Sequence, residues 1–236
     1  MALLSPYGKP QTTFIEIVGA AMIGGSTFMA LRSTAPMGWW ITDASLVVVV
    51  LVLLAFFRDP DREVPTQRGQ VVAPADGRVS SIHDVAHYEP FDGPAKCIRI
   101  FLSVLDVHVN RSPMHGRVTS VTHKPGKYLN ALKAESAEFN ESVTIVLEHP
   151  THQTPVAAVR QVAGAIARRI VCGVKLGDVL QRGQRFGLIK FGSTTEVYLP
   201  MPERVDVRVR KGQYVWGGST VVALVTSRSD APSPAE

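Results

Sequence analysis

Near the C-terminal end the chain reads Arg185-Phe186-Gly187-Leu188-Ile189-Lys190-Phe191-Gly192-Ser193-Thr194-Thr195-Glu196-Val197-Tyr198-Leu199-Pro200. Within it, Gly192-Ser193 is the step best suited to chemistry. A serine after a glycine, in an open turn between two apolar β-type runs, can bring its hydroxyl onto the carbonyl of its own peptide bond. Such a step can cut its own chain. Gly-Ser-Thr is by itself a common turn, so the rest of the sequence has to carry the argument.

A second group of polar residues lies in Leu105-Asp106-Val107-His108-Val109-Asn110-Arg111-Ser112-Pro113-Met114-His115-Gly116. In an extended segment Asp106, His108 and Asn110 share one face of an otherwise apolar strand. Burying them without partners costs about 1–3 kcal/mol each, so they are expected to face a site or one another. His108 and His115 lack a third ligand at metal-site spacing, and no metal is expected. Ala73-Pro74-Ala75-Asp76-Gly77-Arg78 puts a carboxylate in a turn between two strands. It is either a plain Asp-Gly turn or a group that orients a histidine and moves a proton.

The elements that must position these residues follow from the hydropathy pattern. Thr13 to Leu31 is almost all apolar or small with Glu16 the only charge, and Gly38 to Phe57 likewise with Asp43 the only charge. Each is about 20 residues, roughly 30 Å as a helix, the thickness of a hydrocarbon core. Trp39 and Trp40 open the second run and Arg58 closes it, as interfacial anchors do. The expectation is a transmembrane helical hairpin over residues 1–57, with helices at about 13–31 and 38–57. Lys9 precedes it and Arg58 and Arg62 follow it, against Arg32 in the loop, so both ends and the domain that follows are expected on the cytoplasmic side of the cell membrane. A signal peptide is the rival reading of the first run, but its basic n-region is only Lys9.

Residues 58–70, with Arg58-Asp59-Pro60-Asp61-Arg62-Glu63-Val64-Pro65, read as a linker. From Val71 to 227 short β-branched runs broken by glycine predict a β-rich domain. Lys127 to Phe139 reads as a short helix or a loop. Val179 to Phe186 and Arg208 to Val215 both set Gly-Gln between apolar residues, a hairpin signature that resembles lipoyl- and biotinyl-type barrel-sandwich domains. The fold class expected is therefore mainly β (α+β), a barrel-sandwich domain behind a membrane hairpin. Residues 228–236 are polar and proline-containing, a disordered tail. Cys97 and Cys172, the two cysteines, lie in strand-like contexts and read as reduced thiols. The net charge of +5 suits anionic lipid. No basic run interleaved with aromatics points to nucleic acid.

Taken in order, the hydrophobic hairpin, Phe-Phe-Arg-Asp-Pro at 56–60, Pro-Ala-Asp-Gly at 74–77, Val-His-Val-Asn-Arg-Ser-Pro at 107–113, Pro-Gly-Lys at 125–127 with Asn140-Glu141, Ile-Ala-Arg-Arg-Ile at 166–170 and Arg-Phe-Gly-Leu-Ile-Lys-Phe-Gly-Ser at 185–193 closely resemble the short, archaetidylserine decarboxylase-like type of phosphatidylserine decarboxylase proenzyme. The resemblance runs from the hairpin to about Pro200. It implies that Ser193 attacks Gly192, that the chain splits into a β chain of 1–192 and an α chain of 193–236 that stay together as a heterodimer and commonly dimerise again, and that Ser193 becomes a covalent pyruvoyl group, the pyruvate cofactor. Its carbonyl forms a Schiff base with the substrate amine and takes up the electron pair left at Cα. The substrate implied is phosphatidylserine in the membrane. Archaetidylserine or another serine phospholipid is the alternative, because the head-group chemistry is the same.

Longer members of that family carry Tyr-His-x-x-His-x-Pro. Here His108 occupies the place of the first histidine and Arg111 that of the second, so His108 is expected to serve proton transfer in both steps, or His115 to contribute. Asp76 with a histidine is implied as the base for self-cleavage. Arg111, Lys127 and His115 are the substrate-binding candidates for carboxylate or phosphate. Two readings from other classes remain. A membrane-anchored barrel-sandwich binding module needs no cleavage and usually has a coiled coil, which is absent. A zinc glycyl-glycine peptidase needs a late His-x-His, whereas no histidine follows His152.

Overall fold

The computed structural model describes residues 4–129, 135–164, 169–190 and 192–226. Phe191, residues 166–168 of the Ile-Ala-Arg-Arg-Ile motif and the tail at 228–236 lie outside the described residues. Two compact units are present, Met1–Asp61 and Arg62–Glu236.

In the first unit, α1 (Lys9–Arg32) and α2 (Met37–Phe56) form an antiparallel pair. Both are long and apolar enough to cross a membrane. α1 starts before the apolar run, and Pro10 sits in its first turn, where a missing N–H costs nothing. Gly19 lets the helices approach: a Cβ there would lie 2.6 Å from Val50 Cγ2. Asp43, the only charge in α2, is buried and accepts a 2.8 Å hydrogen bond from Thr27 Oγ1 across the pair. Large apolar side chains such as Phe14, Leu31, Ile41 and Leu51 cover the outward faces.

The second unit is β-rich, because runs of Val, Ile, Thr and Tyr suit a pleated surface, and its central strands, such as β11, are buried on both faces. Its strands are β1 (Gln70–Val72), β2 (Gly77–Tyr88), β3 (Gly93–Leu102), β4 (Val109–Arg111), β5 (Gly116–Lys124), β6 (Ser142–Glu148), β7 (Pro155–Val162), β8 (Ile170–Cys172), β9 (Val179–Leu180), β10 (Arg185–Ile189), β11 (Ser193–Pro200), β12 (Val205–Val207), β13 (Tyr214–Val215) and β14 (Val221–Val225), with one helical turn, α3 (Ser136–Phe139), before β6. All pairing is antiparallel within these strands. An eight-stranded sheet in the order β13-β2-β3-β11-β7-β6-β5-β9 curls into a half-barrel, and two three-stranded sheets, β1-β14-β12 and β4-β10-β8, complete the fold.

One apolar cluster gathers Val71, Ala73, Ile98, Ile100, Leu102, Val197, Leu199 and Val222 between the β1-β14-β12 sheet and the middle of the large sheet. A second holds Val118, Ile145, Leu147, Val159, Leu180 and Phe186. They meet where Val197 of β11 pairs with Val159 of β7. β11 is thus an interior strand, with β3 on one side and β7 on the other. The Lys127–Phe139 stretch is partly a helical turn, and residues 130–134 within it lie outside the described residues.

Candidate active site

Ser193 is the first residue of β11 and is fully buried. Successive side chains of a strand alternate between faces. Ser193 and Thr195 therefore share the face of Val197 and Leu199, which belong to the apolar core. A hydroxyl in such surroundings normally finds a partner, yet Ser193 Oγ has no hydrogen bond among the described residues. Leaving it so costs about 1–3 kcal/mol. The residue before it, Gly192, has φ +62°, a left-handed conformation that favours glycine, and a Cβ there would meet no atom of the described residues within 4 Å. The step is a turn forced by backbone conformation, with open space beside it.

His108 is also fully buried, and its ring spans two backbone groups. Nδ1 lies 2.8 Å from the carbonyl oxygen of Asp106. That oxygen only accepts, so Nδ1 carries the proton and Nε2 is left as the acceptor. Nε2 accepts the N–H of Gly192 at 3.3 Å, and Ile189 N–H donates to His108 O at 3.2 Å. The basic nitrogen of His108 thus lies on the amide immediately before the Gly192-Ser193 bond.

The segment before His108 is not the extended strand that the sequence suggests. Asp106 Oδ2 accepts the N–H of Ser103 at 2.6 Å, and Asp106 N–H donates to Ser103 O at 3.0 Å. This local side-chain hydrogen bond closes a turn, so β4 begins only at Val109. The other Asp106 oxygen, Oδ1, accepts from Tyr214 Oη at 2.7 Å. Tyr214 therefore fixes the turn whose carbonyl fixes the histidine.

Asp76 sits at the end of the loop into β2 and is buried. Its Oδ2 receives Arg62 Nη2 at 2.7 Å and its Oδ1 the N–H of Gly217 at 2.7 Å. Arg62 also lies over the Trp216 ring, 4.9 Å from its centroid. Burial raises the Asp76 pKa above its ordinary value; Gly217 and Arg62 oppose this, Asp106 adds to it and Arg111 opposes it. Both Asp76 oxygens are engaged by these groups, while His108 is oriented by the Asp106 carbonyl.

A chain of buried amides lies beside the serine. Gln161 Nε2 donates to Asn110 Oδ1 at 2.7 Å, and Asn110 Nδ2 donates to Thr195 Oγ1 at 2.9 Å. Gln161 stands directly opposite Thr195 across the β7–β11 ladder. On the other face of β11, Glu196 is buried between Arg99 and Arg160, with Nε–Oε1 3.4 Å and Nη1–Oε2 3.6 Å. Tyr198 Oη donates to Glu196 Oε2 at 2.8 Å.

The three substrate-binding candidates fall in different places. Arg111 is buried at the end of β4, where Nη1 donates to Gly183 O at 3.3 Å. His115 is exposed just before β5, with Nδ1 3.1 Å from Leu180 O, and β5 is three strands from β11 in the sheet. Lys127 is exposed, its backbone zipped to Phe139 and Glu141, where Gly126 approaches so closely that a Cβ would lie 2.4 Å from Asn140 C. That contact brings the Pro-Gly-Lys and Asn-Glu segments together. Asn140 Nδ2 then reaches Ala163 O at 2.7 Å, just beyond β7. Among the described residues no cluster of three or more His, Cys, Asp or Glu is arranged to hold a metal ion.

The sequence reading passed over Arg62, Gln161, Thr195, Glu196 and Tyr214. Gln161 and Glu196 carried a signal, being polar residues inside β-branched runs. Arg62 carried none, because a charged linker reads as solvated.

The family model for phosphatidylserine decarboxylase matches residues 50–223. A phosphatidylserine decarboxylase proenzyme of Rhodopirellula baltica is 45% identical over 185 residues, 78% of this chain and 76% of that protein. The proenzyme of Granulibacter bethesdensis is 45% identical over 229 residues, covering 96% and 88%. That of Chlorobium phaeobacteroides is 39% identical over 229 residues, covering 94% and 100%. With a family match across about three quarters of its length and relatives 45% identical over most of the chain, the chain belongs to the phosphatidylserine decarboxylase family.

Proposed function

We propose that this decarboxylase acts on phosphatidylserine, releasing CO2 and leaving phosphatidylethanolamine, and that it does so after cutting itself between Gly192 and Ser193. The observation that carries the second half is the buried Ser193 hydroxyl, without a partner among the described residues, next to a left-handed Gly192 whose amide rests on His108 Nε2.

In self-cleavage Ser193 Oγ bonds to the Gly192 carbonyl carbon, and its proton goes to His108 Nε2, the unprotonated nitrogen of that ring, once Nε2 releases the Gly192 N–H that it accepts in the uncut chain. The Gly192–Ser193 C–N bond then breaks, the Ser193 nitrogen takes the proton, and an ester joins the two parts. Loss of the Ser193 Cα proton expels the Gly192 carboxylate as the Cβ–Oγ bond breaks. Water then replaces the nitrogen, which leaves as ammonia. Asp76, whose raised pKa brings it nearer to neutral, is the second candidate acceptor for the Cα proton.

The group so formed fits the space, because Ser193 is enclosed and open volume adjoins Gly192. When bound to the substrate amine, a pyruvoyl carbonyl supplies the electron sink that lets the Cα–carboxylate bond break. The residues of the chain do the rest. The apolar face shared by Val197 and Leu199 excludes water, and His108 returns a proton to Cα from Nε2. Arg111 and Lys127 are the proposed contacts for the carboxylate and phosphate, and His115 is the third candidate. The two chains, 1–192 and 193–236, form the working heterodimer, which commonly pairs again in this family. With α1 and α2 in the cell membrane and the catalytic domain on the cytoplasmic side, the enzyme meets its lipid by lateral diffusion.

The test is the intact mass of the purified protein beside that of Ser193→Ala. Two fragments from wild type are expected, the smaller lighter than its encoded peptide by one ammonia and blocked at its N-terminus, and a single full-length chain from the variant. An uncut wild-type chain refutes self-processing. Release of CO2 from phosphatidylserine in mixed micelles by wild type, and none by the variant, tests the substrate.

A further inference from the structure

Cleavage before Ser193 creates a mechanical problem that the uncut chain does not have. The reactive residue becomes a chain end, and chain ends fray unless tied down. Ser193 is also thinly held by the sheet. It pairs with Leu102 of β3, but the β7 ladder starts one residue later, at Thr194 opposite Val162. The residue whose carbonyl must be aimed thus has a strand on one side only.

The face of β11 opposite the serine carries a buried polar cluster that meets this need. Arg99 projects from β3, where its backbone pairs with Glu196. Its Nη2 donates to Thr194 Oγ1 at 3.3 Å and to Ser136 Oγ at 2.7 Å, while its Nε lies 3.4 Å from Glu196 Oε1. Thr194, Ser136 and Glu196 are all buried. One planar guanidinium therefore grips the second and fourth residues of the future α chain and ties them to α3 at once, a geometry that its rigid fork of donors provides and an ammonium does not. Arg160 and Tyr198 hold the far oxygen of Glu196. A charge cluster with this much desolvation is costly to bury and unneeded for packing an ordinary interior strand.

We propose that Arg99 is a positioning residue that staples the new N-terminus of the α chain after cleavage, holding Thr194 and Glu196 so that the group at position 193 stays aimed into the site. The proposal rests on the self-cleavage reading above. It makes Arg99 dispensable while the Gly192–Ser193 bond is intact, because the peptide bond itself then holds Ser193.

The experiment compares Arg99→Met, Arg99→Lys and Thr194→Val with wild type, each followed by intact mass, by kcat and KM on micellar phosphatidylserine, and by hydrogen exchange of residues 194–199. Arg99→Met is expected to cut itself fully, to lose about ten- to a hundredfold in kcat because the reacting group is misplaced by a fraction of an ångström to an ångström, and to keep KM within about twofold. Exchange in 194–199 is expected to rise about tenfold or more in the cut variant and to stay unchanged when Arg99→Met is combined with Ser193→Ala. Arg99→Lys recovers part of kcat, since one ammonium reaches one partner. Wild-type kcat in Arg99→Met overturns the proposal, as does exchange that rises equally in the uncut double variant, which marks an ordinary structural contact. An uncut Arg99→Met beside a cut wild type also overturns it, because Arg99 then acts before cleavage. If wild type is itself uncut, the self-cleavage reading falls and the staple with it. Should Arg99→Met fail to fold, Thr194→Val decides: it removes one contact and leaves the Arg99–Glu196 pair, and an unchanged kcat there refutes the staple.

Discussion

Replacing Gly192 by alanine separates two things that glycine does at a turn. At some positions glycine makes room; at others it only permits a backbone conformation. Gly77 is of the first kind, with a Cβ predicted to lie 2.1 Å from Phe101 O. Gly192 is of the second: its added Cβ would have no neighbour within 4 Å among the described residues, so the cost lies in φ +62°. For an L-residue the left-handed region costs about 1–2 kcal/mol. If that conformation is the one in which Ser193 reaches the Gly192 carbonyl, the barrier to cleavage rises by the same amount. At 1.36 kcal/mol per tenfold, this slows self-cleavage about five- to thirtyfold. Asparagine, which tolerates the left-handed region, is expected to lie between glycine and alanine. The assay is cell-free translation with samples quenched over time and the fraction cut read by intact mass. Folding is checked by circular dichroism, where the variant should remain native. Cleavage of Gly192→Ala at the wild-type rate refutes the claim that the left-handed turn is the reactive one. A folded variant that never cuts refutes it too, since backbone strain of this size cannot block the reaction outright.

Two further outcomes follow from the buried titratable groups. Asp76 binds its proton more tightly in the folded chain than the ordinary carboxylate value of 3.8. Its share of stability is therefore present at low pH and is lost as pH rises from about that value through the raised one. In Ser193→Ala, to avoid a mixture of cut and uncut chains, the slope of melting temperature against pH above 3.8 should become more positive when Asp76→Asn is added; an identical slope refutes the assignment. Burial, and next the Glu196 charge, push the Cys97 thiol up, and burial also raises Cys172. Cys97 is fully enclosed whereas Cys172 is half-buried. Native protein treated with iodoacetamide near pH 8 should label at Cys172 and remain unlabelled at Cys97 until denatured; early labelling of Cys97 contradicts the packing around Tyr198.

Sequence alone was sufficient wherever the signal is local. Two apolar runs of helical length give α1 and α2 because such segments satisfy their own backbone hydrogen bonds. Short β-branched runs give the strands, and the Gly-Gln pairs give turns in which Gly183 and Gly212 take positive φ. The Gly192-Ser193 step and His108 stood out as residue types able to do chemistry. What tertiary structure decided was which groups face one another. A side-chain hydrogen bond to Ser103 turned an expected strand at Asp106 into a turn, and that turn's carbonyl sets the His108 tautomer. Arg62, which reads as part of a charged linker, is the partner of Asp76. Glu196 lies at the centre of a buried cluster because β3 and β7 bring Arg99 and Arg160 to it from positions far apart in the chain. Spacing along a chain fixes which face a side chain takes in its own element; the neighbour on that face comes from strand order and register, which are set by the packing of the whole sheet.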